Sequence, residues 1–497
     1  MNFSIGLQII RYIEMHRAFL KSIFLVVCFV ILAGHLGASV KLPSVLSDNM
    51  VLQQQSDVKL WGEAKMNTKL SVTTSWNKKT YKLTCDGQGR WELLVSTPSA
   101  GGPYKISFND GEELILKNVM IGEVWFCSGQ SNMEMPMRGF DRQPVQNSND
   151  VIIKAKSSTP IRMFTTDSED GKWVRQFSKS PEIDCKGKWL TNTPENVANT
   201  SAVAYHFAKY LQETLDVPVG LIISSWGGSK VEAWMSREAI SPFQDIDLSI
   251  LDNNNEVKNP TATPCVLYNA KIAPFINYKI KGFLWYQGES NRNNYSQYRQ
   301  LMSAFVKDLR NKWELGNFPF YYVQIAPFNY EGADGILSAM LQEVQLKNLK
   351  DIPNSGMVTT LDVGNPVFIH PVDKKAVGSR LAYWALGDTY NIKGFSYKPA
   401  IYQSMEVAEK KIYVNFDNAP HGLSPMWTDL TGFEIAGEDK VFHPAKAEIE
   451  TKTGRLAVHN ENVSKPVAVR YAFKNYEKAS LFGLDGIPVA PFRTDNW

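Results

Sequence analysis

Residues 119–137 read VMIGEVWFCSGQSNMEMPM, an apolar run that changes abruptly into small and polar residues. The apolar part predicts a buried strand, and the polar part predicts a loop that holds Ser131 at the carboxyl end of that strand. A hydroxyl in this position, among hydrogen-bond donors, suits the nucleophile of an acyl-transfer reaction. Small polar residues also turn a chain without any chemistry, so these residues alone leave both interpretations open.

Apolar strands and amphipathic helices alternate through residues 120–394. The predicted strands are GEVWFCSG, VPVGLIISS, IKGFLWYQG, FPFYYVQIA and GMVTTLDVG, and the predicted helices are VAYHFAKYLQETLD, NYSQYRQLMSAFVKDLRNKW and PVDKKAVGSRLAYWALG. The second helix, for example, repeats apolar residues at Tyr298, Leu301 and Phe305, which is helical spacing. This alternation predicts an α/β domain whose parallel sheet is covered by helices on both faces.

Short strands with alternating apolar and polar residues flank this domain on both sides. Residues 40–119 contain six of them, separated by Gly, Pro, Asn and Asp, and predict a small antiparallel sandwich. Residues 395–497 return to the same pattern and predict a second β domain. Residues 40–119 offer no clustered acids, histidines or serines suited to chemistry.

Composition and the amino terminus limit the class of protein. The chain of 497 residues has a formal net charge of +3, which favours neither nucleic acid nor an acidic membrane surface as the main partner. After Met15, the expected start, come basic residues, an apolar run from Ile23 to Leu32 and small residues. This order predicts a signal peptide over residues 1–39, export to the periplasm or the medium, and no membrane span after its removal.

Four cysteines lie outside the expected signal peptide: Cys85, Cys127, Cys185 and Cys265. An exported protein can form disulfides, but four cysteines allow three pairings and their spacing selects none. Cys127 ends a buried strand and is expected to be a packed free thiol. Because no CxxC pair or nearby histidine indicates zinc, and glycines are too sparse for a dinucleotide loop, no metal or other cofactor is expected.

Four segments follow predicted strands of the parallel sheet, so they should converge at one edge of it. They contain Ser131 in GQSN, Gly227 and Gly228 in SSWGGSK, Gln287 in WYQGESN, and His370 in FIHPVDK. Ester hydrolysis needs a nucleophile, a base and donors aimed at the developing oxyanion. Ser131 can be the nucleophile and His370 the base, with the N–H groups of Ser131 and Gly228 and the side-chain amide of Gln287 as the donors.

His370 is selected as the base by elimination. The other histidines of residues 40–497 lie in the middle of a predicted helix or in the carboxyl-terminal β region. Asp362, at the end of the strand TTLD, is the candidate that orients His370, and a backbone carbonyl is the alternative. Asp373 is expected to cap the helix that follows.

Two other functions would use residues of the same loops. Glu289 with Glu232 or Glu134 could form the acid pair of a glycosidase, but such an enzyme would leave Ser131 and His370 without a role. A glycan-binding protein without catalysis would keep the fold and its tryptophans and would not need these two residues. Glu232 and Glu289 are expected instead to hydrogen-bond the loops that shape the site.

Five blocks, in order along the chain, resemble the sialate O-acetylesterase family of SGNH-type hydrolases: GEVWFCSGQSNMEMPM, PVGLIISSWGGSKVEAWMS, LYNAKIAPF, GFLWYQGESN and IHPVDKKAVGSRLA. The beginning LPSVLSDNMVLQQ and the ends FEIAGEDKVFHPA, PVAVRYAF and PFRTDNW are similar to exported bacterial members of that family. The resemblance spans essentially the whole chain after the signal peptide. It implies an SGNH-type three-layer α/β/α core between N- and C-terminal β-sandwich-like regions.

The resemblance also implies a function: cofactor-free removal of O-acetyl groups from 9-O-acetylated sialic acid or from a related substrate such as acetylated xylan. Ser131 then matches the nucleophile, His370 the base, and Gly228 and Gln287 the oxyanion hole, with the neighbouring Gly227 as the alternative to Gly228. Many SGNH hydrolases have an acid three residues before the histidine, where this chain has Val367, so Asp362 and a serine–histidine dyad both stay open. The residues expected to contact the sugar are Gln130, Asn132, Trp226, Glu289 and Asn291.

Overall fold

The computed structural model describes residues 40–166, 168–169 and 172–497, together with Met15. The rest of the expected signal peptide lies outside the described residues. Within the described part of the chain, no helix is long and apolar enough to cross a membrane. Contacts divide the chain into two compact units, of which the smaller contains Trp61–Leu93 and Ile106–Ile115, and the larger contains Pro43–Leu60, Leu94–Lys105 and Leu116–Trp497.

The described strands are β1 (Val51–Gln53), β2 (Asp57–Glu63), β3 (Lys69–Thr74), β4 (Lys79–Thr84), β5 (Arg90–Ser96), β6 (Gly101–Asn109), β7 (Glu113–Gly129), β8 (Ile161–Thr166), β9 (Ser168–Glu169), β10 (Lys172–Trp173), β11 (Gly187–Thr191), β12 (Val219–Ser225), β13 (Gly282–Tyr286), β14 (Phe320–Val323), β15 (Ser355–Val358), β16 (Ile401–Ala408), β17 (Lys411–Asp417), β18 (Leu423–Ser424), β19 (Phe433–Ala436), β20 (Phe442–Pro444), β21 (Lys446–Ile449), β22 (Leu456–His459), β23 (Ala468–Tyr471), β24 (Phe482–Gly483) and β25 (Phe492–Arg493). The α-helices are α1 (Ser131–Glu134), α2 (Ser148–Ile153), α3 (Pro194–Ala198), α4 (Ala202–Leu215), α5 (Arg237–Ile240), α6 (Val266–Lys271), α7 (Tyr295–Trp313), α8 (Leu337–Asp351) and α9 (Lys374–Trp384).

The central sheet has its strands in the order β11-β8-β12-β7-β13-β14-β15. Neighbours from β8 to β15 run parallel, as predicted, whereas the edge strand β11 is antiparallel to β8. The sheet is therefore mixed and not purely parallel. A parallel pair needs a long crossover, usually a helix, and the described residues between β8 and β11 form only β9, β10 and loops.

Helices cover both faces of this sheet. One face packs Trp125, Leu221 and Tyr321 into a core that also contains residues of α4 and α9. On the opposite face, the Phe126 ring lies 5.6 Å from the ring of Trp313 at the end of α7. Successive residues of a strand point to opposite faces, so the continuous apolar runs predicted as strands bury both faces at once.

β7 is a single strand of 17 residues that includes two segments predicted to belong to separate domains. Its first six residues alternate between exposed positions and half-buried or buried ones, and every residue from Val119 to Gly129 is buried. Alternation suits a strand with one solvated face, and continuous burial suits a strand covered on both. The boundary predicted between residues 119 and 120 therefore marks the change of pattern along one strand.

The carboxyl-terminal strands form two antiparallel sheets, β16-β17-β22-β21 and β20-β19-β23-β25, around a shared core. This region belongs to the same compact unit as the α/β region. The Thr359 hydroxyl, just after β15, donates to the carbonyl oxygen of Pro488 at 2.9 Å. Arg493 binds both carboxylate oxygens of Glu343 in α8, at 3.1 and 3.2 Å.

The three predicted helices are present as α4, α7 and α9, but α8 was not predicted. Its buried residues include Gln342, Gln345 and Asn348 beside Leu341. Because polar residues share the face that packs inward, the apolar periodicity that would indicate a helix is weak.

Candidate active site

Three of the predicted site segments leave the sheet at the same level. In the register of the central strands, Gly129 at the end of β7 pairs with Ser225 of β12 and with Tyr286 of β13. The Trp226 N–H donates to the Gly129 carbonyl oxygen at 3.0 Å, and the Gln130 N–H donates to the Tyr286 carbonyl oxygen at 2.9 Å. The convergence that the sequence predicted for these segments is therefore confirmed.

Gly129 lets the chain turn from the strand into the short helix α1. Its φ of +141° is a conformation that L side chains rarely adopt, and a Cβ at this position would lie 2.1 Å from the Tyr286 carbonyl oxygen. Any larger residue would push the neighbouring strand away. The turn places Ser131, which is half-buried, at the first position of α1.

The turn Trp226–Gly228 lies beside Ser131. A Cβ at Gly227 would be 3.3 Å from the Ser131 Cβ, and the Gly227 N–H donates to the Glu134 carboxylate. Gly228 is exposed in a left-handed conformation with φ +73°. Among the described residues, neither the Ser131 N–H nor the Gly228 N–H donates a hydrogen bond, so both are available to an oxyanion.

His370 comes close to this group through the loop before α9. The Asn132 side-chain amide, next to Ser131, donates to the Ile369 carbonyl oxygen at 3.2 Å. The Nδ1 atom of His370 lies 2.6 Å from Oε1 of Gln143. An amide oxygen can only accept, so Nδ1 bears the proton and Nε2 is left unprotonated. Burial, with a smaller effect of the Lys374 charge, lowers the pKa of His370 to about 4.

Asp362 does not orient His370, which corrects the prediction. Both of its carboxylate oxygens bind the Arg380 guanidinium, at 2.8 and 2.5 Å. Arg380 is buried in α9, and a buried guanidinium needs a charged acceptor of matching geometry. Asp362 supplies that acceptor, and the neutral Gln143 takes the position at Nδ1 that the sequence assigned to an acid.

Gln287 follows β13 as predicted, but its amide is not directed at an oxyanion. The side chain is completely buried, and its amide nitrogen donates to the Ser229 carbonyl oxygen at 3.0 Å and to Oδ1 of Asn291 at 2.7 Å. Its oxygen accepts from the Tyr298 hydroxyl at 3.0 Å. Because both amide hydrogens are committed to the protein, Gln287 holds loops together instead of providing a free donor.

Asn291 and Gln130, predicted to contact the sugar, are also buried and hydrogen-bonded to neighbouring loops. Asn291 Oδ1 accepts from the Val231 N–H at 3.0 Å, and its amide nitrogen donates to Glu232 at 2.8 Å. Gln130 Oε1 accepts from the N–H groups of Gly288 and Ser290 at 3.3 and 3.4 Å. These contacts correct the prediction, since polar groups this deeply buried satisfy one another.

Asn132 and Glu289 form a second buried group with Lys374. The Asn132 amide nitrogen donates to Glu289 at 2.7 Å, and the Lys374 ammonium donates to the Asn132 oxygen at 2.5 Å. All three side chains are at most 9% exposed. Asn132 and Glu289 therefore connect loops, which corrects their prediction as sugar contacts and agrees with the expectation that Glu289 hydrogen-bonds the site loops.

Trp226 is the one predicted sugar contact that keeps solvent access. It is half-buried, and the guanidinium of Arg175 lies over its ring, 4.9 Å from the ring centre. The exposed ring of Phe177 is 6.3 Å away. Arg175 in turn pairs with Glu134, the acceptor of the Gly227 N–H. The solvent-accessible side of the site is therefore lined by two aromatic rings and a guanidinium.

Sequence reasoning missed Gln143, Lys374 and Arg175. Gln143 lies 227 positions from His370 along the chain, so no local pattern connects the two. Lys374 follows His370 by four residues, but its residue type predicts a solvated side chain. Arg175 lies in an irregular segment, where no strand or helix pattern indicates which way a side chain points.

Several known proteins that this chain resembles are carbohydrate or sialate acetylesterases. The family model described as carbohydrate esterase, sialic acid-specific acetylesterase, matches residues 121–386. A solved carbohydrate acetylesterase from Xanthomonas citri is 32% identical, with a TM-score of 0.83 over 92% of this chain and 100% of that chain. A sialate O-acetylesterase of Mus musculus is 25% identical over 92% of this chain and 94% of its own length. The Homo sapiens sialate O-acetylesterase is 27% identical over 92% of both chains.

Proposed function

Because this chain belongs to the sialic acid-specific acetylesterase family of carbohydrate esterases and is a carboxylic ester hydrolase, we propose that Ser131 and His370 catalyse the removal of O-acetyl groups from sugars. The observation that supports this most directly is that the N–H groups of Ser131 and of Gly228, the residue after Gly227 in the turn beside Ser131, donate to no described residue. The preferred substrate is 9-O-acetylated sialic acid. Acetylated xylan and other acetylated glycans are the alternatives, since they need the same chemistry at the carbonyl.

The proposal includes the wider architecture and the site of action. The central sheet, with α4 and α9 on one face and α7 on the other, forms an SGNH-type three-layer α/β/α core between the two β regions. Residues 1–39 direct the chain out of the cytoplasm, to the periplasm or the medium. The helices on both sheet faces support the first statement, and the order of basic, apolar and small residues supports the second.

In the first half of the reaction, Ser131 Oγ attacks the acetyl carbonyl carbon while its proton moves to Nε2 of His370. The carbonyl oxygen becomes an oxyanion and accepts hydrogen bonds from the N–H groups of Ser131 and Gly228. One such donor typically contributes about 10²–10³ in rate. The bond from the acetyl carbon to the sugar oxygen then breaks, and the sugar oxygen takes the proton from His370.

In the second half, water attacks the acetyl group on Ser131 and gives a proton to Nε2 of His370. The acetyl–serine bond breaks, the proton returns to Ser131 Oγ, and acetic acid leaves and ionises to acetate. One ester and one water thus become one sugar hydroxyl and one acid. Gln143 keeps Nδ1 protonated throughout, so that Nε2 can accept a proton in each half.

The test of this function is acetate release by the purified protein from 9-O-acetylated sialic acid and from acetylated xylan. Release from sialic acid supports both the chemistry and the preferred substrate. Release from xylan alone keeps the chemistry and replaces the substrate. A folded protein that binds either glycan and releases no acetate contradicts the proposal.

Gln143 and Asp362 are the two candidates for orienting His370, and replacing each of them should affect kcat differently. We expect Gln143→Ala to lower kcat roughly tenfold to a hundredfold, because the imidazole loses the acceptor that fixes its tautomer. This loss is smaller than the roughly 10²–10⁴-fold that general-base catalysis contributes in full. We expect Asp362→Asn to leave kcat within about twofold and to lower the free energy of unfolding by about 1–3 kcal/mol through loss of a charged hydrogen-bond acceptor for Arg380. Steady-state kinetics and urea denaturation measure both. An Asp362→Asn variant as slow as Gln143→Ala would restore Asp362 to the catalytic group.

A further inference from the structure

Lys374 occupies a position that is unfavourable for a cation. It is the first residue of α9, four residues after His370, and its side chain is completely buried. Burial disfavours an ammonium, and the positive end of the helix dipole disfavours it further. Its ammonium donates to Asn132 Oδ1 at 2.5 Å and lies 5.9 Å from the centre of the Tyr286 ring.

Asn132 joins Lys374 to both halves of the proposed catalytic pair. Along the chain it is the neighbour of Ser131, and its amide nitrogen donates to the carbonyl oxygen of Ile369, the residue before His370, at 3.2 Å. The same nitrogen donates to Glu289 at 2.7 Å. The orientation of the Asn132 side-chain amide therefore fixes the loop of Ser131 against the loop of His370. Lys374 sets this orientation, because its ammonium can only donate and so binds the amide oxygen.

This group is a poor source of stability. The second carboxylate oxygen of Glu289 is buried and has no hydrogen-bond partner among the described residues. Buried charges with incomplete hydrogen bonding cost desolvation that their attraction often does not recover. The stability of the fold therefore does not account for Lys374, whereas the geometry of the site does.

We propose that Lys374 is a positioning residue for the ester hydrolysis: its buried ammonium fixes the side chain of Asn132, and through it keeps Ser131 and His370 correctly placed relative to each other. This inference rests on the proposed function, since it concerns the same site. It assigns Lys374 no contact with the reacting atoms. Misplacing a reacting group by about 1 Å can cost a factor of about 10² in rate, which sets the size of the effect.

The Lys374 charge also acts on His370 directly. After burial, Lys374 is the one charge among the described residues that lowers the pKa of His370, whose Nδ1 faces the neutral Gln143 and whose ring lies 5.3 Å from that of Phe140. Burial lowers the pKa of Lys374 itself to about 7, against the opposing effect of Glu289. Near pH 4 the ammonium is therefore charged, and its removal should let the pKa of His370 rise.

Lys374→Met tests the proposal, because Met has a similar length and cannot fix the amide of Asn132. With a small acetate ester such as p-nitrophenyl acetate, we expect kcat to fall about tenfold to a hundredfold while KM changes less than about threefold. The acid limb of kcat/KM should move upward from near pH 4 by the smaller part of the shift, since burial, the larger cause of the low pKa, remains in the variant. Lys375→Met is the matched control, since Lys375 is the next residue of α9 and is exposed; it should match the wild type.

The double variant Lys374→Met/Glu289→Gln separates positioning from charge balance. It removes both buried charges, so it should regain the melting temperature lost by Lys374→Met while kcat stays low. A double variant that regains kcat would overturn the proposal, because Lys374 would then serve only to neutralise Glu289. Unchanged kcat and acid limb in folded Lys374→Met would overturn it as well. Should Lys374→Met not fold, the double variant decides alone. Full activity in Ser131→Ala would instead refute the proposed function itself.

Discussion

Replacing Ser131 by alanine is expected to lower kcat for acetate esters by roughly 10⁴–10⁶-fold, the scale of losing the nucleophile in serine hydrolases. The alanine variant has no hydroxyl at the first position of α1, beside the turn Trp226–Gly228, so water would have to attack the ester directly. The fold should be unaffected, since the Ser131 hydroxyl makes no hydrogen bond among the described residues. Stopped acetate release with an unchanged melting temperature is the expected result.

Ser296→Ala is the matched control for this experiment, because Ser296 is an exposed serine in the first turn of α7. It should have wild-type kinetics. A serine-reactive fluorophosphonate should add to the wild-type protein and to Ser296→Ala, and intact-mass and peptide analysis should place it on Ser131. If Ser131→Ala retained a tenth of the wild-type kcat, Ser131 could not be the nucleophile.

Replacing His370 by alanine has the second largest expected effect, a fall in kcat of roughly 10²–10⁴-fold from loss of the general base. Free imidazole should restore part of the activity, because it can enter the space of the missing ring and accept the proton. The variant should also lose the acid limb near pH 4 that protonation of His370 produces in the wild type. In the wild type, activity should fall as the pH drops through this limb, since only the neutral imidazole can accept a proton from Ser131.

His421→Ala serves as the control, since His421 is an exposed histidine of the carboxyl-terminal β region. Its pH profile and kcat should match the wild type. An acid limb that persisted in His370→Ala would have to come from another group, such as the carboxyl group of Glu289, whose pKa is raised by burial.

The parts of the fold that could be predicted from the sequence are those with a local signal. The continuous apolar runs of β12 and β13 show burial on both faces, and the polar residues after them mark the edge where strands end. The antiparallel pairing of β11 and the continuity of β7 depend on which segments meet in space. A pattern of residue types does not contain that information.

Some residues of the candidate site could likewise be predicted from the sequence, and others could not. His370 could be selected by elimination among the histidines, and Ser131 because it follows a predicted strand among hydrogen-bond donors. Asn132 and Gln287 follow predicted strands, a position that favours contact with the substrate or the oxyanion, but tertiary packing buries both side chains. Asp362 is the candidate from the sequence because it ends the strand TTLD, but its carboxylate binds Arg380, and nothing near Asp362 in the sequence indicates that pairing.

The contacts of the carboxyl-terminal region have a consequence for the order in which the protein is made. When the ribosome has completed α9, every proposed catalytic side chain exists. The Asn475 side chain, whose oxygen accepts from the Ser338 N–H at the start of α8 at 3.1 Å, does not yet exist, nor does Pro488, the acceptor of Thr359. Arg493, which binds Glu343, is translated later still. Synthesis must therefore have passed Arg493 before this part of the α/β region can complete its packing.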